Sequence, residues 1–169
     1  MKGLQILVVI LALASVASHG QTPITYPLKE DVATIEGLMK ASYEVVSGEA
    51  GQPRHWERDR SLHHPKAVYS FPVKGTSEQL TMTLKEFHGE TDDLVSSSGF
   101  YEYEIDRRVQ RFGNMAHVWS AYETRTVKDG PVVARGINSV QLYFDGERWW
   151  IVSWVFDRER PDNPLPGKL

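Results

Sequence analysis

The chain has 169 residues, a formal net charge of −3, 11% aromatic residues and no cysteine. The missing cysteine excludes a disulfide framework, a Cys-ligated metal and the lipid-modified cysteine of a bacterial lipoprotein. An acidic balance without basic blocks excludes an electrostatic footprint for nucleic acid.

Lys2, an apolar run from Leu4 to Ala17 and then small residues up to Gly20 form the first element. Basic, apolar and small segments in this order read as a secretory signal peptide over residues 1–20. The run is shorter than the roughly 20 apolar residues that span a bilayer, so export is expected, to the periplasm or outside, without a stable membrane anchor. Removing residues 1–20 from the 169 leaves 149, enough for one domain with its own core. That removal takes one of 19 basic residues and none of 22 acidic ones, so the charge moves from −3 to −4.

Asp31 is positioned to cap a helix whose stripe is Val32, Ile35, Met39, Ser42 and Val46, with Leu38, Tyr43 and Val45 beside it. Gly48 and Gly51 end that helix. A second helix is expected over 53–62, stopped before Pro65, and then a short strand over 67–71. Thr83 and Glu86 have capping-box spacing, and Leu84, Phe87 and Leu94 give a third helix its apolar face, against the opposition of Gly89. From Phe100 the period becomes two, with strands expected over 100–111, 115–127, 132–144 and 148–156. Asp145-Gly146 is the strongest hairpin signal in the chain. The tail from Arg160 to Pro166 is too proline-rich for a strand and is expected to run extended along the surface. Helices followed by antiparallel strands give an α+β domain over residues 21–169, with about three helices on one face of a curved sheet.

Three stretches carry a resemblance. They are Trp56-Glu-Arg-Asp-Arg-Ser-Leu62 before His64-Pro65, Ala116-His-Val-Trp-Ser-Ala-Tyr-Glu123, and Arg135-Gly-Ile-Asn-Ser139 through Asp145-Gly-Glu-Arg-Trp-Trp-Ile151. With the order of elements, they resemble the nuclear-transport-factor-2-like superfamily, whose fold is shared by ketosteroid isomerases, scytalone dehydratase and polyketide cyclases. The resemblance implies a cone-shaped, strongly curved, mostly antiparallel sheet with the helices on its concave face. It also implies dimerisation through the outer sheet face. No ketosteroid-isomerase or scytalone-dehydratase catalytic motif maps residue by residue onto the chain, and a superfold does not fix a reaction.

A two-residue turn at Gly113-Asn114 pairs Val109 with Val118, Ile105 with Tyr122 and Tyr103 with Thr124 on one face. The other face receives Glu102 with Arg125, Arg108 with Trp119 and Gln110 with His117. The Asp145-Gly146 hairpin places Val140, Leu142, Trp149 and Ile151 with Asn138 and Ser153. Its opposite face carries Ile137, Trp150, Val152, Trp154 and Phe156. The resemblance puts Trp149 and Ile151 against the helices, which leaves Ile137, Trp150, Val152 and Trp154 as an outer apolar patch for a homodimer. The covering alternative is the C-terminal tail folded back over it.

Tyr69, Tyr101, Tyr103, Arg107, Ser120, Tyr122, Asn138 and Ser153 are therefore the candidate ligand-binding residues of an interior cavity. A buried Arg107 needs an acidic or carbonyl partner: a ligand, or a structural ion pair with a helix carboxylate. A base is harder to place, because this register turns Glu102, Glu104, Asp106 and His117 outward. His64, at the cavity mouth, and Asp157, at the edge of the cone, are the weak catalytic candidates. His63 and His64 lack metal-ligand spacing, and capping of helix carbonyls is the plainer role. No cofactor and no metal is expected. Three functions stay open: binding of a small, largely apolar molecule, cofactor-free isomerase, dehydratase or cyclase chemistry, and a protein-interaction module with an inert core.

Overall fold

A computed structural model describes residues 24–73, 75, 76 and 78–169. The expected signal peptide lies outside the described residues. Helices α1 (Lys29–Val32), α2 (Ile35–Val46) and α3 (Trp56–Leu62) come first. Strands β1 (His63–Pro72) and β2 (Gln79–Thr83), helix α4 (Leu84–Ser97), and strands β3 (Tyr101–Phe112), β4 (Met115–Arg125), β5 (Ala134–Phe144) and β6 (Trp149–Arg158) follow. The sheet runs β2-β1-β6-β5-β4-β3, antiparallel except for the β1–β6 pair. The α+β architecture is therefore the expected one, with β2, an exposed edge strand, added.

The stripe read for the first helix is buried as α2, where Leu38, Met39 and Val45 pack on Val118, Val140 and Ile151. Asp31 does not cap it. Thr34 does, its side chain accepting from Gly37 N at 2.9 Å, while Asp31 sits in α1 and takes two hydrogen bonds from Arg58 at 2.8 and 2.7 Å. The capping box forms at Thr83 and Glu86. Gly89 is tolerated inside α4 because nothing packs over it. The tail follows the surface, and Leu169 N reaches Asp106 Oδ2 at 3.2 Å.

Both hairpins form, and both contain a bulge. Gly113 takes φ 56°, and Phe112 pairs with Met115 as a two-residue turn requires. The pairs Val109–Val118, Arg108–Trp119 and Gln110–His117 form as read from the sequence. Beyond them Ile105 is the extra residue: Asp106 faces Ala121 and Glu104 faces Tyr122. The pairs Ile105–Tyr122, Tyr103–Thr124 and Glu102–Arg125 are thereby replaced, and Glu102 now faces Thr124. In β6 the extra residue is Val152, between Ile151 opposite Leu142 and Ser153 opposite Gln141. Trp154 and Phe156 consequently face Val140 and Asn138 on the inner side, not the outer one. Trp154 is 6% exposed and lies in the core. Ser153 moves outward with Gln141, so it leaves the set of candidate ligand-binding residues.

Candidate functional site

The bulge at Ile105 decides what the interior contains. N-terminal to it, Glu102 and Glu104 take the inner side of β3, and C-terminal to it Arg107 and Val109 do, opposite Ser120 and Val118. Arg107 thus meets a carboxylate of its own strand, donating through Nε to Glu104 Oε1 at 2.8 Å and through Nη2 to Glu104 Oε2. The guanidinium is held charged by that pairing. Strict alternation puts Glu102 and Glu104 outside and leaves Arg107 to a helix carboxylate or a ligand. The structure reverses the first and supplies another answer to the second.

A directed chain of hydrogen bonds runs behind this pair. Ser120 Oγ donates to Glu104 Oε1. Its proton is therefore committed, and the 2.7 Å contact between Tyr43 OH and Ser120 Oγ must be a donation from Tyr43. Tyr43 OH in turn accepts from Asn138 Nδ2 at 3.0 Å. The Asn138 amide also lies where it favours the charged form of Glu102. Asn138 and Ser120 are fully enclosed. Three candidates, Ser120, Tyr122 and Asn138, lie inside as expected, joined by Tyr43 of α2.

Burial pushes the Glu102 carboxyl up from 4.5 to about 7, with Asn138 and the charge of Arg158 pulling partly the other way. Burial also raises Tyr43 and Tyr122 above the ordinary phenol range. Tyr122 spans from Glu104 on β3 to Gly136 on β5 by register, and Arg158 partly offsets the effect of burial on its hydroxyl. Only glycine leaves room for that approach. A Cβ at Gly136 would lie 2.5 Å from Tyr122 Oη and 2.3 Å from the carbonyl oxygen of Asp157. Gly136→Ala should cost about 1–3 kcal/mol, as overpacking does, in a chemical-denaturation measurement. A neutral result would contradict the close approach.

In front of the chain, α2 and β3 enclose a cleft of about 370 Å³ lined by Lys40, Tyr43, Glu44, Ser47, Glu102, Tyr103, Glu104 and Arg107. Arg107 is thus at the cleft, and Tyr122, Ser120 and Asn138 stand behind its wall, but the bulge turns the Tyr103 ring away from the expected interior to the face of Glu123, 5.8 Å from the Arg125 guanidinium. Tyr101 is buried at the start of β3 beside Glu49, whose side-chain hydrogen bond raises its hydroxyl to about 12. Tyr69 belongs to a different network. It stacks on Phe87 at 4.3 Å and Trp154 at 6.0 Å, and its hydroxyl is 2.8 Å from His63 Nε2. His63 Nδ1 lies 2.8 Å from Asp59 O, a helix carbonyl capped as expected, and Asp59 Oδ2 lies 2.6 Å from His88 Nε2. This network ties α3, β1 and α4 together and is sealed from the cleft.

The weak catalytic candidates lie elsewhere. His64 is exposed, its Nδ1 accepting from Lys66 N at 3.2 Å, with its ring edge-on to Trp150. Asp157 lies within β6 opposite Ile137 and pairs with Arg160, which lowers its carboxyl from the usual value. Among the described residues, no cluster of three or more His, Asp or Glu side chains is arranged to hold a metal.

No family model and no curated protein matches the chain. Solved structures do. A nuclear-transport-factor-2-like protein of unknown function from Silicibacter pomeroyi superposes with a TM-score of 0.57 at 16% identity, covering 75% of this chain and 94% of that one. A putative scytalone dehydratase from Novosphingobium aromaticivorans gives 0.57 at 15%, over 80% of this chain and 92% of that one. The structure of LinA gives 0.57 at 14%, over 80% and 89%. Identities this low speak for architecture alone. The chain has the nuclear-transport-factor-2-like fold.

Proposed function

We propose that the chain binds a small molecule in the α2–β3 cleft, with Glu102 as the proton-accepting group that meets it. The observation that carries this reading is a carboxyl at the cleft wall, raised to about 7 by burial and fixed by Asn138. A group poised near neutrality can take or return a proton there, whereas a surface glutamate cannot. The same observation favours cofactor-free isomerase or dehydratase chemistry as a second reading, and one structural neighbour carries a putative dehydratase name.

Titration of the ¹⁵N-labelled protein with a library of small aromatic and alicyclic fragments tests the first reading. Bound fragments should shift the amides of Tyr43, Ser47 and Glu102 to Arg107. A library that leaves all of them unmoved would rule the cleft out as a site. The second reading requires chemical change of a bound compound, faster as pH rises through 7 and lost in Glu102→Gln.

We also propose that two copies pair through the outer sheet face. Trp119, Val152 and Val155 are 38%, 38% and 37% exposed, with uncharged Ser139, Gln141 and Ser153 around them. Ile137 and Trp150 border this patch half-buried. Apolar side chains exposed together on one sheet face favour pairing with a second copy, with Arg108 and Asp157 at the margin of the patch. Val155→Lys should convert a dimer into a monomer in sedimentation equilibrium. A wild-type monomer at micromolar concentration would contradict the pairing. Export to the periplasm or beyond rests on the pattern of residues 2–20, and N-terminal sequencing of the native protein would show whether that segment is removed.

A further inference from the structure

We infer that the ligand of the α2–β3 cleft is a small organic cation, an amine that donates N–H to Glu102 and lays an apolar or aromatic body against Tyr43. This inference rests on the cleft being a binding site and adds the chemistry of what enters it.

An inventory of the cleft's polar atoms supports it. Ser47 Oγ donates to the carbonyl of Tyr43 at 2.7 Å and accepts from Glu102 N at 3.0 Å. Tyr43 donates to Ser120, and Ser120 to Glu104. Arg107 commits Nε and Nη2 to Glu104. The hydroxyl protons of Ser47, Tyr43 and Ser120 are therefore spent within the protein. An incoming carbonyl or carboxylate would find only Arg107 Nη1, on a guanidinium already paired with Glu104, and Lys40 on the rim. The Glu102 carboxylate instead offers acceptor lone pairs.

The charges agree with that inventory. Glu44 pairs with Arg58 at 2.9 Å and Lys40 at 3.7 Å, and Glu104 pairs with Arg107. Among the described residues, Glu102 is the one cleft carboxylate without an ion-pair partner within 4.0 Å. Arg158, behind the wall, acts on Glu102 only from beyond ion-pair distance. An ionised Glu102 thus leaves the residues lining the cleft one negative charge in excess, beside the Tyr43 ring, whose face attracts cations. Lys40, on the rim, is 77% exposed and holds Glu44, so it does not reach in to neutralise Glu102.

Three near-isosteric probes separate the alternatives: benzylamine, benzyl alcohol and benzoate, each titrated into the labelled protein at pH 8. Benzylamine, charged at that pH, should shift the amides of Tyr43 and Glu102 and bind at least about tenfold more tightly than the alcohol, as charge-assisted hydrogen bonds imply. Its affinity should fall about tenfold or more at pH 5.5, where Glu102 is protonated. The Glu102→Gln variant should lose the same factor while keeping its fold. Equal or tighter binding of the alcohol or benzoate, with shifts at the same amides, would overturn the cation assignment and leave the cleft as a site. Benzylamine that moves none of these amides would also overturn it, and the fragment library then decides separately whether the cleft binds anything.

Discussion

Glu102→Gln is expected to stabilise the protein at pH 8 by roughly 3 kcal/mol and to leave it unchanged at pH 4. The sign follows from linkage. The folded carboxyl titrates at about 7 and the free one at 4.5, so the folded state resists ionisation. At pH 4 both states are protonated, and the buried neutral acid costs nothing extra. As pH rises from 4.5 through 7, the unfolded chain ionises first and stability drains away, until both forms are charged above the folded value. A separation of that size is worth roughly 3 kcal/mol. Glutamine stays neutral and can still accept from Asn138, so its stability should not fall across that window. Chemical denaturation of both proteins from pH 4 to pH 8 reads the difference directly. A stabilising loss of a polar side chain is the behaviour of a residue kept for its chemistry rather than for the fold.

Trp154→Ala should cost about 3–5 kcal/mol, the range for deleting a buried large aromatic. The indole is inside because Val152 bulges. It stacks over Tyr69 and meets Tyr43 edge-on at 6.3 Å, so it packs between the His63 network and the chain behind the cleft. Its removal should loosen both. Without the bulge Trp154 would stand on the outer face, where an alanine would change monomer stability by under about 0.5 kcal/mol. A denaturation midpoint close to wild type would therefore restore the plain alternation.

The contrast between those two strands shows what the sequence could and could not reveal. Apolar periods of two and 3.6, the Thr83–Glu86 capping box and the Gly113 and Asp145-Gly146 turns were sufficient for the elements and for most of the pairing. They were sufficient because each is a local pattern with a local cause. The faces of β3 and β6 were not, because a bulge has no composition of its own, and one extra residue exchanges every side chain beyond it. A polar clue existed in each case. Arg107 on an otherwise apolar face has no carboxylate under strict alternation, but an inserted residue brings Glu104, three positions earlier, to its side. Likewise strict alternation buries Ser153 and exposes Trp154, and the bulge removes both conflicts. Tyr43 carried a further clue, as a hydroxyl on the apolar stripe of α2 that must find a partner when buried. Its partners, Ser120 and Asn138, lie 77 and 95 positions away, beyond any local signal. β2 escaped notice for a different reason: Gln79–Thr83 is an exposed edge strand with little apolar burial to pattern it.

A bulge at Ile105 turns Glu102 into the protein and leaves a half-ionised carboxyl at the cleft. A pH titration of the Glu102 side-chain carboxyl followed by ¹³C NMR measures this most directly. The midpoint should be about 7, well above the 4.5 of a free glutamate. A midpoint near 4.5 would mean that Glu102 faces water on an unbulged strand. The cleft would then have no group able to exchange a proton near neutral pH.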